Sequence, residues 1–275
     1  MQQKNIGFIG GGNMAASLLG GLISDGFAAE NIWVAEPDDK RREDLSARFG
    51  IHTGADNIEL VNTVDVVVLA VKPQVLHEVC TAIADAIQGN RPLIVSIAAG
   101  VRESDIDRWL GGNNAIVRTM PNTPALVKSG ATALYANNQV DTEQRELAEA
   151  IMRAVGLTLW LDDESQMDAV TAVSGSGPAY FFLLIELLQQ SGNKLGLPEE
   201  DARLLALQTA FGAAKMALES SDECRELRAR VTSPGGTTER AINTLENGGI
   251  RDLFYKALEG ARDRATELAQ QLGEK

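Results

Sequence analysis

The chain has 275 residues and a formal net charge of -13, and 44% of its residues are hydrophobic. A chain of this length usually forms two domains, because single cores stop growing near about 250 residues. The acidic balance argues against nucleic acid or an anionic membrane as a partner, since both attract a positive surface. The two cysteines form no disulfide or metal pattern. We expect a cytoplasmic protein without a metal site, and no apolar run approaches the roughly 18 residues of a membrane span.

The first predicted element is a short buried strand at residues 4–9, which leads into a glycine turn and a helix. The turn matches the pattern Gly-x-Gly-x-x-Ala. In that pattern Gly10 permits a tight turn, Gly12 lets the backbone approach a pyrophosphate, and Ala15 lets the helix pack on the strand. A simple connecting loop would explain the glycines alone, but the flanking strand and helix favour dinucleotide binding. The predicted cofactor-binding residues here are Ile9, Gly10, Gly11, Gly12, Asn13, Met14 and Ala15.

The second predicted strand, at residues 32–35, ends at Glu36. An acid about 20 residues past the glycine pattern can accept hydrogen bonds from the adenosine ribose, which favours NADH. Arg41 and Arg42, in the helix after Pro37, could instead meet the 2′-phosphate of NADPH, or they could form a solvated helix face. Because a carboxylate near a 2′-phosphate adds like-charge repulsion, we expect Glu36 to bind cofactor and to limit the use of NADPH.

A third short strand at residues 51–53 leads to Asn57 and a brief helix, and an apolar fourth strand follows at residues 65–71. Such a continuous apolar run is typical of a parallel strand buried on both faces. In the usual doubly wound order the fourth strand lies beside the first, where a dinucleotide binds. The predicted cofactor-binding residues at its end are Ala70, Val71, Lys72 and Pro73. Lys72 is equally explained as a plain cation at a strand end.

Two further strands end in distinctive loops. The strand at residues 93–97 runs into Ala98 and Ala99, which leave room for a flat ring and are predicted to contact the cofactor. The strand at residues 115–120 runs into Pro-Asn-Thr-Pro, whose two prolines predict a rigid polar loop around Asn122. That loop is either a plain turn or a site wall with Asn122 facing the substrate. The alternating region is completed by elements predicted near residues 131–135, 142–155 and 157–161.

Strand patterns disappear from Gln166 onward. The apolar periodicity predicts helices at residues 167–173, 179–190, 199–218, 239–245 and 253–272. The sequence therefore predicts an α/β Rossmann-type domain over residues 1–162 and an all-α domain over residues 163–275. Residues 179–188 are apolar nearly all round, which indicates complete burial, either within the domain or more fully between subunits.

A second glycine-containing stretch lies in the helical half, at residues 231–241. Two glycines and two hydroxyl residues lead directly into a helix there, so free backbone N–H groups converge at its positive end. That arrangement suits a carboxylate. The alternative is a well-capped helix start, which needs one Ser or Thr and no pair of glycines.

The residues present favour a reaction that needs neither strong acid/base catalysis nor a metal ion. His52 and His77 lie outside both glycine-rich stretches, and neither a Ser/His/Asp set nor a metal-ligand spacing occurs. Hydride transfer to a C=N bond needs less, because a protonated imine is already electrophilic. The protein need only orient the imine and donate one hydrogen bond to its nitrogen.

Six motifs occur in order over essentially the whole chain: the glycine turn and residues 70–73, 98–101, 121–124, 174–180 and 233–238. Together they resemble the pyrroline-5-carboxylate reductase family, and the last two motifs are the most specific. The resemblance implies reduction of 1-pyrroline-5-carboxylate to L-proline by NADPH or NADH, the last step of proline biosynthesis. It also implies that the all-α domain is a dimerisation domain, in an interlocked homodimer that often assembles into a decamer.

Site residues follow from the same resemblance. It implies cofactor contacts at the glycine turn, Asn57 and residues 70–73, and substrate contacts at Gly236, Thr237 and Thr238. Thr238 lies near the imine nitrogen and is the predicted catalytic residue. Two stretches depart from the family pattern. Glu36 is acidic where members that favour NADPH carry a non-acidic polar residue, and residues 220–222 are unremarkable where some relatives place a substrate-contacting acid.

Two other functions fit parts of the sequence. A β-hydroxyacid dehydrogenase shares the two-domain plan, but its catalytic lysine is expected four residues after the last glycine of the Gly-Ser-Gly turn, where Phe181 stands. A non-catalytic protein that senses dinucleotides would tolerate loss of the chemistry at residues 233–238.

Overall fold

The computed structural model describes residues 4–274, and within that range eight strands form one sheet. The strands are β1 (Ile6–Ile9), β2 (Ile32–Ala35), β3 (His52–Gly54), β4 (Val66–Leu69), β5 (Leu93–Ser96), β6 (Ile116–Met120), β7 (Gly130–Ala136) and β8 (Gly156–Trp160). Their order is β3-β2-β1-β4-β5-β6-β7-β8. The β6–β7 pair is antiparallel, and all other neighbours are parallel. The predicted position of β4 beside β1 is confirmed, which makes the carboxyl end of this pair the switch point of a doubly wound sheet.

Helices connect and follow the strands. They are α1 (Asn13–Ser24), α2 (Asp39–Phe49), α3 (Asn57–Thr63), α4 (Pro73–Asn90), α5 (Glu103–Trp109), α6 (Thr142–Arg153), α7 (Met167–Val170), α8 (Gly177–Lys194), α9 (Glu199–Glu219), α10 (Cys224–Arg230), α11 (Thr237–Asn247) and α12 (Ile250–Gly273). A π-helical turn at Thr171–Gly175 joins α7 to α8, and 3₁₀ turns lie at Ala29–Asn31, Thr123–Val127 and Glu164–Gln166. Helices α4, α5 and α10 were not predicted from the sequence. The predicted Rossmann-type half and helical half are confirmed.

The sheet separates two apolar cores. On one face Phe8 packs with Leu18 and Leu22 of α1, and all three are almost completely buried. On the other face Ile9 packs with Cys80 of α4 and the strands beside it. Burial raises the pKa of the Cys80 thiol to about 12, so this side chain stays protonated and acts as a small apolar residue. The cores fix the strand ends that carry the candidate site.

Contact density divides the chain into two compact units. The first runs up to Ser176 and resumes at Ala261, and the second is Gly177–Gly260. The predicted domains 1–162 and 163–275 rest on the change from strands to helices and stay a prediction. Within the first unit, an ion pair of 2.8 Å between Arg118 and Glu164 holds the segment after residue 162 on the sheet. The end of α12 also belongs to the first unit, where Leu268 and Leu272 lie against Gly100.

The second unit has almost no core of its own. Within residues 177–260 the buried residues are small: Gly177, Ala202 and Ala206. Large apolar side chains of α8, α9 and α12 are exposed in the single chain, among them Phe181, Phe182, Leu184, Leu188, Leu204, Leu205, Phe211, Met216, Leu253 and Tyr255. Since exposed apolar patches of this extent mark interaction surfaces, the unit needs a further covering surface.

One helical run among residues 4–274 is long and apolar enough to cross a membrane by length and composition. It spans Glu164–Lys194, its most apolar window has a mean hydropathy of 1.3, and 11% of that window is buried. No apolar run of about 18 residues was expected from the sequence, and this helical run departs from that expectation. The helical path continues through Gly175, Gly177 and Pro178 as the π-turn and the start of α8. One helix of this kind is weak evidence for a membrane protein.

Candidate active site

The glycine turn after β1 is shaped by its neighbours on both sides. Gly10 has φ +99°, a conformation that favours glycine, and its N–H donates to the Ala35 carbonyl at 2.8 Å. A Cβ at Gly10 would lie 2.8 Å from the Ala70 carbonyl oxygen. A larger residue would therefore push apart the ends of β1 and β4, and Gly10 is required where the sequence placed it.

The start of α1 presents its backbone donors to solvent. Gly12 is the N-cap residue, no side chain caps the helix, and the first turn contains no acid. A Cβ at Gly12 would have nothing within 4 Å. The N–H groups of the first turn lack partners within the helix, and the dipole makes this end positive. The turn therefore fits a pyrophosphate, and the buried Ala15 and Leu18 fix the helix on the sheet.

Glu36 lies at the end of β2 and is 6% exposed. Its Oε2 accepts a hydrogen bond from the Gly11 N–H at 2.8 Å, and its Oε1 accepts one from the Asp38 N–H at 3.2 Å. The Arg41 Nη1 lies 3.7 Å from the same Oε2. The structure thus brings Glu36 to the glycine turn, and its carboxylate also joins that turn to the start of α2. The contact of Glu36 with a cofactor stays a prediction.

The carboxyl ends of β4 and β5 meet the glycine turn at one edge of the sheet. The Ala70 N–H donates to the Ile9 carbonyl at 2.9 Å, and the Ile97 N–H donates to the Leu69 carbonyl at 3.2 Å. The residues after these strands were predicted to contact the cofactor, and their positions along this edge differ in exposure. Ala98 is buried, Ala70, Val71 and Pro73 are half-buried, and Lys72 and Ala99 are exposed.

Lys72 and Asn57 each stand at a helix start. Lys72 is the N-cap residue of α4, with Pro73 in the first turn, so its side chain is not needed to cap the helix. Asn57 begins α3, whose cap is the Asp56 carboxylate, which accepts from the Ile58 N–H at 2.8 Å. The side chains of both predicted cofactor contacts therefore have no capping role.

Asn122 was predicted to contact substrate, and the structure gives its amide two backbone partners. Its Nδ2 donates to the Ser174 carbonyl at 3.1 Å, and its Oδ1 accepts from the Ala131 N–H at 2.9 Å. The residue ties the loop after β6 to the start of β7 and to the π-helical turn. A Cβ at Gly175 of that turn would lie 2.5 Å from the Met120 side chain. The sequence located this loop but not its partners, which lie 9 and 52 residues away in the chain.

The start of α11 resembles the start of α1. Gly236 is the N-cap residue, no side chain caps the helix, and Gly235 has φ +72°. The Glu239 carboxylate accepts from the Gly235 N–H at 2.8 Å, which holds the glycine turn closed. Thr238 is half-buried and Thr237 is exposed. The N–H groups of this first turn can bind a carboxylate, although Glu239 adds a nearby negative charge.

No role for Glu239 was predicted from the sequence. An acid three residues after an N-cap commonly reaches back to the preceding backbone, so its position was a usable signal. The stretch that departs from the family pattern, residues 220–222, does contain an engaged acid: Asp222 pairs with Arg230, and its N–H donates to the Ser220 hydroxyl at 3.0 Å. This pair brackets α10, directly before the glycine turn.

A charged cluster lies on the sheet beside the loop after β5. Arg118, 5% exposed, pairs with Glu164, and the same Glu164 oxygen accepts from the Glu103 N–H at 2.7 Å. Burial raises the pKa of the Glu103 carboxyl, against a lowering by its hydrogen bond from Asn137, and Glu164 raises it further. These groups hold the segment around Glu164 on the sheet.

Comparisons with known proteins cover the whole chain. A family model described as pyrroline-5-carboxylate reductase dimerisation matches residues 164–268, and one described as NADP oxidoreductase coenzyme F420-dependent matches residues 5–100. A protein from Pseudomonas aeruginosa named pyrroline-5-carboxylate reductase is 52% identical over 274 residues, with 100% of both chains covered.

Two solved structures are similar over nearly their full length. A pyrroline-5-carboxylate reductase from Coxiella burnetii has a TM-score of 0.93 and 48% identity, covering 97% of this chain and 98% of that one. A Plasmodium falciparum pyrroline carboxylate reductase, solved with NADP bound, has a TM-score of 0.86 and 30% identity, covering 98% and 99%. Similarity at this level over nearly the full length shows that the chain shares the fold of both proteins.

Proposed function

The chain belongs to the pyrroline-5-carboxylate reductase family, and from this premise we propose that it reduces 1-pyrroline-5-carboxylate to L-proline with NAD(P)H, the last step of proline biosynthesis. The observation that carries the proposal is the start of α11, where two glycines precede a helix without a side-chain cap. The free N–H groups there can bind the carboxylate of a small substrate, and the start of α1 suits the pyrophosphate of a dinucleotide.

The cofactor residues follow from the first unit. The first-turn N–H groups of α1, at Asn13 and Met14, are assigned to the pyrophosphate, with Gly10 and Gly12 leaving room for it. Ala98 and Ala99 are assigned to the nicotinamide end, because small side chains there leave space for a flat ring. NADPH is the proposed cofactor, with NADH as an alternative, and the bound nicotinamide supplies a hydride.

The substrate residues lie at the start of α11. We assign the backbone N–H groups of Thr237 and Thr238 to the substrate carboxylate, with Gly236 providing the close approach. The Thr238 hydroxyl is assigned to the imine nitrogen as the catalytic donor. Hydride addition to the imine carbon, with a proton taken from solvent on the nitrogen, gives the secondary amine of proline. A hydroxyl donor aligns the nitrogen while its charge changes.

Asn122 is retained as a residue of the substrate site with an indirect role. Its amide holds the π-helical turn through the Ser174 carbonyl, and π-turns inside helices often mark functional sites. It therefore holds the segment that precedes α8 in place. Its second amide hydrogen and its second oxygen lone pair stay available for a ligand.

Oligomerisation is supported by the family model over residues 164–268, and we propose a homodimer, with a decamer as a larger assembly. A second copy would cover the exposed apolar side chains of α8 and α9, which have no core within residues 177–260. The same covering accounts for the apolar run at Glu164–Lys194 without a membrane. We also propose a cytoplasmic location, as for a biosynthetic enzyme that uses NAD(P)H.

The two alternative functions have less support. Phe181, at the position expected for a β-hydroxyacid dehydrogenase lysine, is an exposed apolar residue of α8. A non-catalytic sensor would not need the glycine-led start of α11, and the full-length relatives carry the name of a reductase.

One assay separates the three functions. NAD(P)H oxidation is followed with 1-pyrroline-5-carboxylate, and reduction of the oxidised cofactor is followed with 3-hydroxy acids. The proposal expects turnover only in the first reaction. Turnover only with 3-hydroxy acids would identify a dehydrogenase, and nucleotide binding without turnover in either would identify a sensor.

A further inference from the structure

The acid at the end of β2 and the two arginines of α2 have unequal surroundings. We propose that Arg41, and not Arg42, binds the 2′-phosphate of NADPH, and that Glu36 is the positioning residue that holds the glycine turn. This inference rests on the proposed function, because it concerns the specificity of the same cofactor site.

Glu36 is engaged on both oxygens before any ligand arrives. Its Oε2 accepts from the Gly11 N–H at 2.8 Å and its Oε1 from the Asp38 N–H at 3.2 Å, and the side chain is buried. A Cβ at Gly11 would lie 3.3 Å from Oε2, so the backbone and the carboxylate fit closely. Two donors and a nearby guanidinium compensate much of the negative charge. Glu36 therefore repels an adjacent phosphate less than a free carboxylate does.

Arg42 is committed to the start of α2. Its Nη1 donates to the Glu36 carbonyl at 2.6 Å, and its Nη2 pairs with the Asp39 carboxylate. Its side chain is 21% exposed. Binding a phosphate would require Arg42 to leave a charged partner and a backbone acceptor, which opposes the gain.

Arg41 is placed differently. Its side chain is 53% exposed, and its Nη1 lies 3.7 Å from Glu36 Oε2, beyond the usual length of a hydrogen bond. Its backbone N–H, rather than its side chain, donates to the Asp38 cap. Glu36 marks the ribose end of a dinucleotide in this fold. The fork of Arg41 therefore stands beside that end with donors able to hold a phosphate bidentately.

The two roles together predict that the chain uses NADPH despite its acidic residue. Asp38 caps α2 through the Arg41 N–H, and Asp39 is paired with Arg42, so both neighbouring carboxylates are engaged. The preference for the phosphorylated ribose then depends on the charge of Arg41.

The first test measures nucleotide binding by titration calorimetry, without substrate, on the full-length protein. The probes are adenosine 2′,5′-bisphosphate and 5′-AMP, which differ by the 2′-phosphate. Arg41→Met should lower the affinity for the bisphosphate by about tenfold or more, as expected for loss of a charge-assisted hydrogen bond. Its affinity for 5′-AMP should fall by less than about twofold. Arg42→Met, the matched control, should leave the ratio of the two affinities near its wild-type value. A selective loss in Arg42→Met, or an unchanged ratio in Arg41→Met, would overturn the assignment.

The second test concerns Glu36. Glu36→Ala should lower the affinity for both probes by comparable factors, because the glycine turn loses the hydrogen bond that supports it. Glu36→Gln should recover most of that loss, because its amide oxygen still accepts from the Gly11 N–H. If either variant selectively strengthens bisphosphate binding, Glu36 acts as a repulsive selector and its positioning role is refuted. A wild-type chain that binds neither probe would instead contradict the proposed function, so the two failures are distinguishable.

Discussion

The two compact units of this chain place their apolar residues in opposite ways. In the first unit Phe8, Leu18 and Ile94 are fully buried between helices and sheet. In the second, Phe181 and Phe211 are each 62% exposed and Leu253 is 69% exposed. A sheet gives each flanking helix an apolar surface to cover. In the second unit α8 and α9 approach closely where Ala202 lies against Gly192, and many of their large apolar side chains stay exposed. The first unit therefore buries its own apolar residues, whereas the second leaves them for the second copy that we propose as its partner.

The largest expected effect follows from placing a charge in the second unit. Ile185→Asp should give a monomer or an insoluble chain, because each copy of a dimer would bury an unpaired carboxylate at several kcal/mol. Sedimentation velocity measures the assembly, with Glu186→Gln as a control on the same helix. The monomer should still bind 5′-AMP, since the first unit keeps its core. A soluble Ile185→Asp chain that sediments like the wild type would contradict the dependence on a second copy.

A substitution in the core of the first unit should change the free energy of unfolding. Phe8→Ala should lower the free energy of unfolding by about 3–5 kcal/mol, the usual range for truncating a fully buried aromatic side chain. Urea denaturation at two protein concentrations measures it, and the loss should be similar at both. Val75→Ala, at an exposed position of α4, is the control. A loss well below 1 kcal/mol for Phe8→Ala would mean that the core of the first unit does not carry its stability.

The Thr238 hydroxyl is the proposed hydrogen-bond donor of the second unit. Thr238→Val keeps the side-chain shape and removes the donor, and one neutral hydrogen bond is worth about 0.5–1.5 kcal/mol. We expect kcat and kcat/KM to fall about 2- to 10-fold with little change in NADPH affinity, the pattern of an interaction made in the transition state. Steady-state kinetics measure it, and Thr244→Val on the same helix is the control.

Two results would change the role of Thr238. An increase in KM alone would assign its hydroxyl to ground-state binding of the substrate. Wild-type values of both kcat and kcat/KM would remove the hydroxyl from the mechanism and leave the backbone N–H groups of the first turn of α11.

The smallest expected effect is a pH dependence confined to the first unit. Because the pKa of Glu103 is raised in the folded chain, its contribution to stability is present below its ordinary pKa of 4.5 and is lost as pH rises through the higher folded value. Glu103→Gln should remove this fall and keep the oxygen that accepts from Asn137. Urea denaturation across that pH interval, with Glu143→Gln as an exposed control, measures the slope. An unchanged slope would show that burial of Glu103 does not oppose its ionisation.

Much of the fold could be predicted from local patterns. Each of the eight predicted strands overlaps an observed one, and the glycine turn lies where Gly10 and Gly12 require it. The helix α4 was missed although Leu76, Cys80, Ile83 and Ile87 repeat at helical spacing and are all buried. That signal is local and available in the sequence. The short helices α5 and α10 carry weaker signals, because seven residues contain barely two turns.

Local patterns account for which residues form helices and strands and which turns need glycine, because periodicity and backbone sterics act over a few residues. The partners of polar side chains depend instead on tertiary structure. It joined Glu36 to Gly11, Asn122 to Ser174, and Arg118 to Glu164, pairs that are 25, 52 and 46 residues apart in the chain. It also decided that α8 has too little surface within its own unit to bury its apolar residues. Such pairings depend on how distant segments are brought together by packing, and no local pattern encodes that geometry.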